Sequence, residues 1–154
     1  MLNYKKIISR LLDQNIYILS NDDKEAIIID PGLGFDLIDR YLKSENLSPI
    51  AVLATHAHID HIASANDCIK NYNIPFYICR GNSIMLDHYD IMKGYMHVDS
   101  EKPEVSHWIE ESEKKLTVGS FEFNVNYNPG HSPGCMSFEI DSLISLPPSN
   151  LTAW

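Results

Sequence analysis

The sequence has little of what holds a secreted or membrane-bound protein together. Only three cysteines, Cys68, Cys79 and Cys135, occur in 154 residues, an odd number without the spacing of a disulfide framework. The N-terminus, Met1-Leu2-Asn3-Tyr4-Lys5-Lys6, has too short an apolar stretch for a signal peptide, and no segment reaches the roughly eighteen apolar residues of a membrane span. These absences predict a cytoplasmic protein with no membrane partner. Positive charge is also scarce: 12 basic residues face 21 acidic ones, a net charge of −9. That balance argues against a nucleic-acid partner, and it repels an anionic substrate except where a cation is placed locally. Internal repeats and low-complexity segments are lacking too. A chain of this length fits one domain, which buries about 68–70% of its unfolded surface around one core.

Histidine is where the sequence concentrates its chemistry. His56-Ala57-His58-Ile59-Asp60-His61 puts three imidazoles and a carboxylate within six positions, a donor set that suits Zn²⁺ or Fe²⁺. The run Ile50 to Ala54, between Pro49 and Thr55, reads as a short buried strand leading into the cluster. If the strand continues, positions 56 and 58 project to one side with Cα atoms about 6.6–6.8 Å apart, and both rings can reach one ion at roughly 2.0–2.1 Å. Asp60 and His61 then fall where strand gives way to helix. A second site element lies downstream. Phe121, Phe123 and Val125 alternate with polar residues in a strand that ends at Asn128-Pro129-Gly130-His131-Ser132-Pro133-Gly134. Two prolines and two glycines restrict and bend this turn and fix His131 in it.

The remaining elements alternate between strand and helix, a pattern of α/β or α+β class. Asn15 to Leu19 and Ala26 to Ile29 read as a hairpin around Asn21-Asp22-Asp23. Helical spacing of Phe35, Leu37, Ile38, Tyr41 and Leu42 predicts a helix to Glu45, and a second runs from Ile62 to Tyr72. Pro75 to Cys79 is a short strand. Gly81 to Met92 is predicted helical, capped by Asn82 or Ser83. Residues 93 to 115 are polar and carry no clear pattern.

Taken together, these motifs resemble a known family. Thr55-His56-Ala57-His58-Ile59-Asp60-His61 is similar to the His-x-His-x-Asp-His signature of the metallo-β-lactamase superfamily, and Pro129-Gly130-His131-Ser132-Pro133-Gly134 to its second histidine motif. Ile27-Ile28-Ile29-Asp30-Pro31-Gly32 is similar to the family's early strand and turn, and the resemblance spans roughly residues 14 to 141. Within the superfamily the motifs most resemble hydroxyacylglutathione hydrolase, the second glyoxalase enzyme, a thioesterase that splits S-acylglutathione, and its short single-domain relatives.

The resemblance implies an αββα sandwich over residues 1–141, followed by an atypical tail at 142–154. It implies that His56, His58 and His131 hold one metal, while Asp60 and His61 begin a second site. The expected ion is zinc, with iron(II) or manganese(II) as substitutes. In the family a Gly-Asp aspartate bridges both metals and a last histidine completes the second site, and neither is found in this chain. From Ser142 onward there is no charged residue, and Pro147-Pro148 stops a strand. The tail is therefore expected to be a foreign ending, through truncation or frameshift, that leaves the sandwich incomplete and prone to self-association; the alternative is a genuine, diverged C-terminal segment. One metal should bind tightly and the second weakly. The implied function is hydrolysis of a small-molecule thioester by hydroxide formed at the metal and held by the catalytic Asp60, with activity impaired by the missing bridge. The leaving thiolate needs no strong acid. Two alternatives remain open at this point: a non-catalytic metal-binding remnant, and a mononuclear iron relative that oxidises persulfides.

Other residues receive plainer expectations. His88, His97 and His107 are surface histidines and Cys135 a small buried thiol. Asp30 either orients a ligand histidine through its second nitrogen or serves the Asp-Pro-Gly turn. Arg80, Lys93 and Tyr95 are conceivable contacts for a substrate carboxylate.

Overall fold

The structure is a computed structural model that describes residues 1–141 and the strand at 144–146. A six-stranded sheet has the order β1 (Asn3–Ile8), β2 (Asn15–Ser20), β3 (Glu25–Ile29), β4 (Ser48–Ala54), β5 (Phe76–Cys79), β6 (His107–Ile109). Its first two pairings are antiparallel, and β3 through β6 run parallel. The second sheet is antiparallel throughout, β10 (Ile144–Leu146), β9 (Met136–Ile140), β8 (Phe121–Tyr127), β7 (Lys115–Val118).

Side-chain alternation assigns each face. Val52 and Ala54 of β4 join a core with Ile16, Ile18, Ile28, Phe76 and Ile78, which the helices cover. Ala51 and Leu53 point the other way, toward Phe121, Phe123, Val125, Met136 and Phe138 of the second sheet. A parallel strand buried on both faces must be apolar at every position, which explains the unbroken Ile50–Ala54 run. On β8 only one face is covered. Phe121, Phe123 and Val125 are buried while Glu122, Asn124 and Asn126 are exposed.

Among the described residues the α-helices pack on the first core: α1 (Phe35–Ser44) through Ile38 and Leu42, α2 (Ile59–Ile62) through Ile59 and Ile62, α3 (Ala65–Tyr72) through Ala65 and Cys68, α4 (Ser83–Asp87) through Leu86, and α5 (Tyr89–Tyr95) through Tyr89. The described residues thus form one helical layer and two sheets of the expected mixed α/β sandwich. The predicted hairpin is present. Asn21 closes it by accepting the backbone N–H of Glu25 on its side-chain oxygen at 3.0 Å. The expected tail falls outside the described residues, apart from the strand at 144–146.

Three expectations need correction. The strand before the histidines ends at Ala54, so His56 and His58 lie on a loop and not on ladder positions. The helix expected from Ile62 is two, because the chain turns at Ala63-Ser64 between α2 and α3. The Gly81–Met92 helix is also divided: a 3₁₀ turn at Arg80–Asn82 precedes α4, and the chain breaks again at His88 before α5.

Candidate metal centre

The site forms where the chain leaves three adjacent parallel strands. Asp30 follows β3, Thr55 to His61 follow β4, and Asn82 follows β5, so all open at the carboxyl edge of the sheet, where α/β folds collect their ligands. The turn between β8 and β9 brings His131 to the same edge. The backbone N–H of Met136 joins the two sheets there by donating to Thr55 O at 2.9 Å.

His56, His58 and His131 converge, with one ring nitrogen of each lying within 4.8 Å of the others. His56 Nε2 and His58 Nδ1 are 3.0 Å apart, and the rings meet edge to face, at 4.6 Å for His56–His58, 5.0 Å for His56–His131 and 4.6 Å for His58–His131. Burial grades from His56, which is enclosed, through His58 to the exposed His131, so the cluster opens to solvent on one side.

Asp30 sets the direction of one of these rings, His56, and of the neighbouring His61. Its carboxylate, 1% exposed, accepts the Thr55 N–H at 2.7 Å, the Thr55 hydroxyl at 2.7 Å and His61 Nδ1–H at 2.9 Å. Because the hydroxyl donates to Asp30, its oxygen is left to accept from His56 Nδ1 at 3.0 Å. Both His56 and His61 therefore carry a proton on Nδ1, and His56 keeps the lone pair of Nε2. The Asp-Pro-Gly turn and the orienting role are both real. Asp30 has φ 50°, and Gly32 N–H bonds back to its carbonyl at 2.8 Å. A Cβ on Gly32 would sit 2.5 Å from Asp60 O and 2.4 Å from Gln14 Oε1, so only glycine lets the turn approach α2.

The electrostatics favour neutral bases in the cluster. Burial, followed by the neighbouring imidazoles, pushes the His56 pKa down to about 2. His58 is lowered for the same leading reason. For His61 burial also opposes the proton, but the charges of Asp30 and Asp60 and the Asp30 hydrogen bond outweigh it and raise the pKa. Asp60 lies beside His61, with Oδ2 3.5 Å from Nε2, and the His56 and His61 rings are 4.1 Å apart. Asp60 and His61 thus sit together next to the three-histidine cluster but do not join it as a single donor set.

These residues fit a divalent metal. Tetrahedral zinc with Zn–N bonds of about 2.0–2.1 Å places its nitrogens about 3.3–3.4 Å apart, close to the His56–His58 spacing found. Neutral imidazoles with fixed tautomers are the state a metal requires.

Sequence reasoning missed Gln14, buried against Asp30 and His61, and misread Asn82. Asn82 makes no cap for α4. It is fully buried and bonded to both histidine loops. Among the residues expected elsewhere, His88, His97 and His107 are exposed and Cys135 is buried. Arg80 is paired with Glu110 at 2.7 Å and Lys93 donates to Ser100 O at 2.9 Å, so each of these cations already has a partner.

A histidine cluster at the mouth of an αββ sandwich, its rings oriented by a buried aspartate, defines a metal-binding α/β protein of hydrolase fold. The family model for the metallo-β-lactamase superfamily matches residues 9–145, and the chain belongs to that superfamily. It is 31% identical over 131 residues to a probable metallo-hydrolase, YqgX, of Bacillus subtilis (strain 168), covering 84% of this chain and 61% of that protein. A hydroxyacylglutathione hydrolase of Buchnera aphidicola is 43% identical over 65 residues, 42% of this chain and 26% of the relative. In a solved structure, the B3 metallo-β-lactamase BLEG-1, the match is 36% identical with a TM-score of 0.79, covering 90% of this chain and 67% of that one. Among the described residues, no helix is long and apolar enough to cross a membrane.

Proposed function

We propose that this chain is a metal-dependent hydrolase of small-molecule thioesters, of the hydroxyacylglutathione hydrolase type, with His56, His58 and His131 as its principal metal ligands. The observation that carries the reading is the convergence of three imidazoles on one point at a solvent-open edge, with His56 and His58 held neutral by burial. Zinc bound there supplies a Lewis acid for an acyl carbonyl and acidifies water toward a pKa of about 7. The chain's own residues do the rest. Asp30 holds His56 through Thr55 and holds His61 directly, so neither ring can turn away. In this reading Asp60, with a side chain 17% exposed, takes a proton from the attacking water and returns it to solvent. A departing thiolate leaves without a strong acid. The Buchnera relative supports the substrate class.

The test is release of thiol from S-acylglutathione by zinc-loaded protein, with elemental analysis for about one tightly held ion. We expect turnover that is lost in His58→Ala. The 36% identity to a β-lactamase makes a β-lactam the second substrate to assay. Opening of the lactam with no thioester turnover would overturn the thioesterase reading.

A further inference from the structure

We infer that Asn82 is a positioning residue of the metal centre, which sets the separation between the loop of His56 and His58 and the loop of His131. The inference rests on the metal-binding reading above.

The primary amide of Asn82 is 0% exposed and fully engaged. Its Oδ1 accepts the backbone N–H of Ala57, the residue between His56 and His58, at 3.0 Å. Its Nδ2 donates both hydrogens, one to Gly134 O at 2.8 Å, three residues after His131, and one to Cys79 O at the end of β5 at 3.1 Å. One side chain therefore ties both ligand loops to the sheet edge. The two loops belong to different sheets. Beside Asn82, a backbone bond from Met136 to Thr55 also joins the two loops at this edge, but it lies before His56 and after His131.

Only one amide orientation works. An acceptor must face Ala57 and two donors must face the carbonyls, so neither aspartate nor leucine reproduces the pattern. The surroundings are built to this amide. A Cβ on Gly134 would fall 2.3 Å from Asn82 Nδ2 and 2.5 Å from its backbone nitrogen, and a Cβ on Gly81 would meet Gly134 Cα at 2.9 Å. Both glycines let the turn that carries Asn82 lie directly against the His131 loop. A helix cap would need none of this, and the Asn82 side chain caps nothing.

Asn82→Asp keeps the shape and the acceptor toward Ala57 but turns an acceptor toward Gly134 O and Cys79 O. It releases the His131 loop and leaves the other loop held. The experiment measures zinc affinity by chelator competition and the visible absorption of the cobalt-substituted protein, in the native chain, Asn82→Asp, His131→Ala and the double variant, with folding checked by far-UV circular dichroism. We expect Asn82→Asp to weaken zinc binding about 10–100-fold, as loss of an outer-sphere partner does, and to alter the cobalt bands. In the His131→Ala background the same change should add less than about twofold. Native affinity and native cobalt bands in folded Asn82→Asp would overturn the proposal, as would an equal loss in both backgrounds. If Asn82→Asp does not fold, Gly134→Ala takes its place, since it displaces the same amide; unchanged affinity there would also overturn the proposal. Failure of the native chain to bind zinc would instead refute the functional reading beneath it.

Discussion

Replacing Asp30 with asparagine separates the fold from the site more sharply than any other single change. The backbone tolerates it, because Asp30 sits at φ 50° and asparagine adopts that left-handed conformation readily. Oδ1 still accepts the Thr55 N–H. At the other position an NH₂ replaces an oxygen that had accepted from both Thr55 Oγ1 and His61 Nδ1. The threonine hydroxyl must then accept from the new donor and turn its own hydrogen toward His56 Nδ1, which moves the imidazole proton to Nε2, the nitrogen that faces the cluster. His61 either flips in the same way or leaves a buried N–H unpaired, at a cost of about 1–3 kcal/mol. A fold of this size has about 5–15 kcal/mol in hand, so the variant should fold. Its zinc affinity should nevertheless drop about 10–100-fold. Asp30→Ala leaves three donors unpaired around a buried position and should lose about 3–5 kcal/mol. Urea denaturation of the metal-free proteins gives the first quantity and chelator competition the second. Native zinc affinity in folded Asp30→Asn would refute the tautomer argument, and a loss below about 1 kcal/mol in Asp30→Ala would refute the stability argument.

His131→Ala should abolish tight zinc binding yet leave the metal-free fold near native stability, since the ring is exposed; a large drop in urea midpoint would contradict this. Metal-free protein should weaken as pH falls from about 6.5 toward 2, because the unfolded chain protonates His56 near 6.5 while the folded chain holds it neutral to about 2. His58 acts in the same direction, whereas His61, raised in the fold, contributes stability that is complete below 6.5 and lost above it. A urea midpoint that rises from pH 7 to pH 5 would show that His61 dominates. Gly32→Ala should cost about 1–3 kcal/mol through overpacking against Asp60 O and Gln14, and a native melting temperature would rule that crowding out.

Much of this architecture was legible where one physical demand governed a segment. Ile50 to Ala54 had to be a buried strand because no polar side chain interrupts it, and Phe121 to Tyr127 alternates because only one of its faces meets the core. The histidine cluster was legible because few arrangements other than a metal site bring so many imidazoles together. What escaped notice depended on tertiary context. β1 carries Lys5 and Lys6 and resembles a polar leader, but it is a strand through its six-residue register with β2. β6 is only three residues long and takes its conformation from β5. His56 and His58 meet by a loop conformation and not by strand alternation, so a sound conclusion rested on the wrong local geometry. Asn82, next to a glycine and before a helix, carries every mark of a cap, and nothing local tells that its amide turns inward.

The outer strands of the two sheets also bear on how the protein behaves at high concentration. β1 ends the first sheet with two exposed lysines, β6 ends its other side after three residues, and β7 ends the second sheet with exposed Lys115. Strands that are short or studded with ammonium groups make poor templates, because a neighbour pairing there must desolvate charge or find too few backbone partners. Among the described residues these three edges are therefore guarded, and a second copy adding a strand at any of them meets charge or too short a ladder.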